Sequence, residues 1–197
     1  MSLAWPPLDD LAKARRRYQG GLPFPYLVID DWLPTETAHR LREAIAEEPA
    51  ERIVSSIYEV DATTGWETVA LRELEAWLGS TEVLEAVGTL TGHGLSRVSL
   101  RGYAFGPGHY LLPHHDRDRD ASRLVAFAYY LAVERPLSGG ELELFACDPS
   151  SPETPSVRKI DPRPNRLVLF EVSDASLHQV REVTQGLRVS LSGWFYA

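Results

Sequence analysis

The sequence predicts a mainly β domain, a sandwich or barrel with helices packed against one side. From Arg97 onward, about eight short runs rich in Val, Leu, Ile, Tyr and Phe follow one another, separated by Gly, Pro, Asp and Ser clusters. Before Arg97 the texture is mainly helical. At 197 residues, with 44% hydrophobic and 24% charged side chains, the chain suits one well-buried core and is short for two. The expected layout is a single domain over 1–197, with a helix-and-strand lead-in at 1–96 and the β core at 97–197.

Asp9 to Tyr18 reads as a short helix, and PYLVID after it as a strand, because Gly and Pro in GGLPFP interrupt any helix. Thr35 is expected to cap a helix, with Glu36 near its positive end and Ala38, Leu41, Ala44 and Ile45 at helical spacing. Residues 52–60, RIVSSIYEV, have strand character, and the wider segment 52–66 is placed to cover a cavity mouth as a lid. Residues 67–90 read as helix, broken around Gly79-Ser80. The expected core strands are 97–105, 109–115, 124–133, 141–146, 156–160, 166–171, 176–181 and 187–196. The polar, Pro-rich DPSSPETPS (148–156) reads as a surface loop.

Charge and composition exclude several roles. Residues 1–100 carry 16 acidic and 9 basic side chains, net −7, and no basic excess stands elsewhere except Arg15–Arg17, so nucleic acid is disfavoured as a partner. No apolar run is long enough to cross a bilayer, and the first residues lack an apolar signal core. A single cysteine, Cys147, permits no internal disulfide, which suits a reducing cytoplasm.

The chemistry concentrates in HYLLPHHDRDRD (109–120). If the strand there continues to about Asp116, alternation puts His114 and Asp116 on one face and His115 on the other. Asp118 and Asp120, interleaved with Arg117 and Arg119, read as a solvated turn. His178, in the strand-like SLHQV, offers a third ligand, and two histidines with one carboxylate make the facial set of non-haem iron oxygenases. Ten residues further, Arg188 shares a strand face with Ser190, Ser192 and Trp194. An arginine on an inner wall is costly unless a carboxylate meets it, and that strand has no acid to spare, so a ligand's carboxylate is the natural partner. An isolated H-x-D is common by chance; the ordered conjunction is not.

These segments resemble a known family. FGPGHYLLPHHD, RLVAFAYYLA, SGGELELF, RLVLFEVSDASLHQV and GLRVSLSGWFY, in that order, resemble the Fe(II)/2-oxoglutarate-dependent dioxygenases of the prolyl-hydroxylase-like branch. PFPYLVIDDWLPTETAHRLREAI looks like that branch's lead-in. The resemblance implies a double-stranded β-helix (jelly roll) with helices bracing its larger sheet. It implies His114, Asp116 and His178 as iron ligands. Arg188, with Ser190 completing R-x-S and Tyr130 supplying a hydroxyl, would take the distal carboxylate of 2-oxoglutarate. O₂ is the other co-substrate, with succinate and CO₂ as co-products of hydroxylation. Asp116 occupies the position that halogenating relatives leave small, which favours hydroxylation.

Two positions depart from the family pattern: Phe105 where a tyrosine is usual, with Tyr103 on the same face as its substitute, and Ala132 where asparagine is usual. Arg101, Tyr103, Phe105 and Trp194 are the candidate substrate residues. Arg101 would meet a small acid's carboxylate or, equally, pair with an acidic residue of the helical half. The reading leans to a small-molecule substrate, with peptidyl prolyl hydroxylation close behind. The competitors are a non-catalytic metal- and dicarboxylate-binding jelly roll, and a zinc hydrolase in which R-x-S has no role.

Overall fold

The computed structural model describes residues 11–117, 120–147, 150–151 and 153–197. The start of the expected first helix at Asp9, the turn residues Asp118 and Arg119, and parts of the 148–156 loop lie outside the described residues. Among the rest stand four helices and eleven strands: α1 (Leu11–Gln19), β1 (Tyr26–Ile29), α2 (Thr35–Glu47), β2 (Ala50–Val54), β3 (Tyr58–Thr63), α3 (Val69–Leu78), α4 (Thr81–Thr91), β4 (Arg97–Phe105), β5 (Tyr110–His114), β6 (Arg123–Ser138), β7 (Leu142–Phe145), β8 (Ser156–Ile160), β9 (Arg166–Glu171), β10 (His178–Val180) and β11 (Gln185–Tyr196). The strands run in the order β1-β9-β6-β11-β4-β3-β5-β10-β7-β8, with β2 pairing β3, in one curled, antiparallel sheet. This is the jelly roll that the resemblance implied.

Alternation along the central strands builds two cores from one sheet. On β6 and β11, Val125, Phe127, Tyr129, Leu191 and Phe195 face the helices and pack with Leu41, Leu71, Leu74 and Leu90. Ala126, Ala128 and Tyr130 face the interior, where they meet Leu142, Leu144, Val168 and Phe170. The helices thus brace one face of the larger part of the sheet, and the opposite face lines the interior.

Local chemistry explains the departures from the expected elements. Residues 52–60 are two strands rather than one, because Ser55 turns the chain: its Oγ accepts the N–H groups of Ile57 and Tyr58, each at 3.2 Å. The hairpin so formed is cross-linked by Arg52, which reaches Glu59 at 2.9 Å and Asp61 at 2.6 Å. Thr35 is the first residue of α2 and makes no side-chain cap; Pro34 holds the cap position and its carbonyl accepts the Ala38 N–H. The Gly79-Ser80 break is as expected, and Ser80 Oγ caps α4 by accepting the Val83 N–H.

Glu48 ties α2 to α3. Its buried carboxylate accepts the N–H groups of Glu67 and Thr68, at 2.7 and 2.9 Å, and the Thr68 hydroxyl at 2.6 Å. Burial raises its pKa, but these bonds outweigh burial and hold the carboxyl below its ordinary value of 4.5. A depressed folded-state pKa stabilises fully above the unfolded value and loses that stabilisation as pH falls through the folded one. Glu48→Gln is therefore expected to lower stability by about 1–2 kcal/mol at neutral pH and to flatten the loss of stability in the acid range below about pH 4.5. Denaturant midpoints of both chains across that range check it.

Candidate active site

His114 closes β5 and His178 opens β10, and the antiparallel register sets them directly opposite one another, with ring centroids 4.3 Å apart. β5 ends at His114, so Asp116 lies in the bend beyond the strand instead of continuing it. It still converges: its Oδ1 lies 3.5 Å from His114 Nε2 and its Oδ2 lies 3.6 Å from His178 Nε2. The bend is held by Arg123, whose Nη1 donates to the Asp116 carbonyl at 3.3 Å. His115 falls outside this cluster of ligand atoms, which lie within 4.8 Å of one another.

The donor set fits a cation. Nδ1 of His114 faces the Leu112 carbonyl and Nδ1 of His178 faces that of Ser176, both at 2.9 Å. A carbonyl only accepts, so in each neutral ring Nδ1 carries the proton and Nε2 presents a lone pair. Burial is the largest influence on His178 and lowers its pKa to about 4, leaving the ring neutral at pH 7. Burial pushes Asp116 up, but the two imidazoles facing it bring it down further, well below the usual carboxylate range. In that tautomer the two Nε2 lone pairs and the carboxylate converge on one point. Donors on one face of an octahedral ion with bonds of about 2.1 Å sit roughly 3 Å apart, and the Asp116 oxygens lie 3.5 and 3.6 Å from the two Nε2 atoms.

The same cavity, of about 170 Å³, is lined by this trio and by Arg188, Tyr130, Tyr103, Phe105, Arg101 and Trp194. β11 runs beside β4 in unbroken register, so Arg188 stands against Phe105, Ser190 against Tyr103 and Ser192 against Arg101. Arg188 is 2% exposed. It donates to the Gly140 carbonyl at 2.9 Å and to Ser190 Oγ at 3.1 Å, and its Nε has no hydrogen-bond partner among the described residues. No carboxylate among the described residues pairs with it, and burial lowers its pKa. The guanidinium carbon lies 4.5 Å from the Phe105 ring centroid and 5.0 Å from that of Tyr130, whose buried hydroxyl closes no well-formed hydrogen bond. Gly140 makes this seat possible: its φ is +78°, and a Cβ there would come within 3.2 Å of Arg188 Cδ. Ser190 stands apart from the cavity lining, fully buried behind the guanidinium it orients.

A family model for the 2OG-Fe(II) oxygenase superfamily matches residues 98–196. The chain belongs to that superfamily. The superfamily's requirements are Fe(II), 2-oxoglutarate and O₂. Among curated proteins, the chain is 44% identical over 85 residues to prolyl 3-hydroxylase OGFOD1 of Xenopus laevis, covering 42% of this chain and 16% of that protein. It is 41% identical over 98 residues to prolyl 3-hydroxylase sudestada1 of Drosophila melanogaster, covering 45% and 18%. The matched stretch thus spans less than one fifth of these relatives' length. Among solved structures, a Pseudomonas putida prolyl-4-hydroxylase superposes with a TM-score of 0.71 at 22% identity, covering 95% of this chain and 98% of that one. A prolyl hydroxylase from Trichoplax adhaerens, solved with a hypoxia inducible factor peptide fragment, gives 0.68 at 19% identity, covering 94% and 91%. At these identities the superpositions establish the fold.

Arg123, outside the residues expected from the sequence, lines the cavity beside Asp116 with its guanidinium 3.7 Å from the Trp194 ring centroid. Strand parity assigns Arg123 to the helix-facing set with Val125, Phe127 and Tyr129. A register shift between Phe195 and Tyr196 of β11 turns the start of β6 the other way. Its only sequence signal was an arginine at the head of an otherwise apolar strand. Arg101 keeps its place on the wall, but its guanidinium is engaged by Glu51 at 3.1 Å and by the Thr63 carbonyl, the salt-bridge alternative to a ligand role. The 52–66 segment borders the cavity through Ile53, Tyr58 and Val60 of the β2–β3 hairpin. No helix among the described residues is long and apolar enough to cross a membrane.

Proposed function

We propose that the chain is one oxygenase domain hydroxylating a prolyl residue within a polypeptide. His114, Asp116 and His178 hold Fe(II), and Arg188, with Tyr130 and oriented by Ser190, receives the distal carboxylate of 2-oxoglutarate. The observation that carries the co-substrate reading is Arg188: a buried guanidinium whose Nε and charge find no partner among the described residues, in the same cavity as the three metal-type donors. Bound there, the iron would supply the O₂ activation that couples 2-oxoglutarate decarboxylation to C–H hydroxylation. The chain's own groups supply placement: the Nδ1–carbonyl bonds fix both imidazoles, and the Phe105 and Tyr130 rings restrict the guanidinium to one orientation.

A peptidyl substrate is favoured over a small molecule by the names of the curated relatives. At about 170 Å³ the cavity is small beside the roughly 300–1,000 Å³ of typical small-molecule sites, which suits a substrate that enters by one side chain. The unpartnered Arg123 Nε, beside the Trp194 indole, offers a donor to a peptide carbonyl at the wall. With Fe(II), O₂ and 2-oxoglutarate, a panel of proline-containing peptides is expected to gain one oxygen on proline with equimolar succinate, which mass spectrometry reads directly. Succinate coupled only to free amino acids or other small acids in a parallel panel would return the assignment to a small-molecule hydroxylase.

A further inference from the structure

The iron reading leaves one carboxylate oxygen of Asp116 to be satisfied. A carboxylate that gives one oxygen to an ion is itself held by hydrogen bonds to the other, and such outer partners set how well the ligand is placed. Among the described residues, the indole N–H of Trp194 is buried and closes no hydrogen bond of good geometry. It borders the same cavity as Asp116. An indole N–H can only donate, and a buried donor needs an acceptor. Arg123 holds the arrangement from both ends, its guanidinium carbon 3.7 Å from the Trp194 ring centroid and its Nη1 on the Asp116 carbonyl.

We infer that Trp194 is a positioning residue for the metal centre: its N–H donates to the Asp116 oxygen left over from ligation, with Arg123 stacked on the ring to hold it there. This deepens the proposed function and rests on His114, Asp116 and His178 being the ligands. Trp194→Phe keeps an aromatic ring for Arg123 and removes only the N–H. The test loads the protein with Co(II) alone, without co-substrate, and reads affinity by competition with a chelator and ligand geometry by the d–d absorption bands. The variant is expected to bind Co(II) about 10- to 100-fold more weakly than the natural chain, with displaced bands.

Arg123→Met retains the indole and carries the same test should the first variant not fold; a smaller loss of affinity in the same direction is expected. Affinity and bands identical to the natural chain in the folded variant overturn the inference. If the natural chain binds Co(II) no better than His178→Ala, the ligand assignment itself fails and this inference with it, so the two failures are told apart.

Discussion

Replacing Arg188 with Met is expected to raise the KM for 2-oxoglutarate by at least about 100-fold, because two charge-assisted hydrogen bonds to a carboxylate, each about 1.5–3 kcal/mol, are lost. The ligand-free protein should respond in the opposite sense. Arg188 is 2% exposed and meets no carboxylate among the described residues, so an apolar side chain of similar volume relieves an uncompensated buried charge. Denaturant midpoints without co-substrate should therefore be unchanged or higher in Arg188→Met, by up to about 1–4 kcal/mol. A structural arginine would show the reverse pattern, a destabilised fold with 2-oxoglutarate binding intact. Arg188→Lys sharpens the test: it keeps a charge but loses the fork that grips a carboxylate with two parallel bonds, so most of the affinity should still be lost.

The second large effect is at the metal-type donors. His178→Ala is expected to abolish succinate formation and to weaken divalent-ion binding by more than about 100-fold, beyond the loss typical of removing an outer-shell partner. Thermal unfolding with and without Mn(II) measures this independently of turnover. The natural chain should be stabilised by about 2.7 kcal/mol when the free ion stands at about 100 times its dissociation constant, and the variant not at all. His115→Ala serves as the neighbouring control. His115 lies outside the cluster of converging ligand atoms, so ion-dependent stabilisation should survive that change. Equal stabilisation of the natural and His178→Ala chains would remove His178 from the ligand set.

Particular residues show how far the sequence reaches. Strand alternation is a local property of the backbone, so the shared face of Arg101, Tyr103 and Phe105, and that of Arg188, Ser190 and Trp194, could be read from spacing alone, and the register between β4 and β11 bears both out. The same rule separates Tyr129, packed under the helices, from Tyr130 in the interior. The Gly79-Ser80 break was legible too, since a serine before a helical run caps through atoms three residues apart. What failed was local chemistry that competes with a longer pattern: the Ser55 hydroxyl turns a strand-like run into a hairpin, and Pro34 takes the cap from Thr35.

By itself, then, the sequence determined which strand faces the candidate residues of β4, β6 and β11 share, because side-chain direction follows from φ and ψ along a single strand. Only the tertiary structure decided their company. It brought His178 opposite His114 across the β5–β10 ladder and drew Asp116 into the cluster from a bend beyond the strand. It turned Arg123 inward through a slip in register and gave Arg101 a carboxylate while giving Arg188 none among the described residues. These outcomes depend on pairing between segments tens of residues apart, and register and bulges are fixed by the packing of the whole sheet, not by any stretch within it.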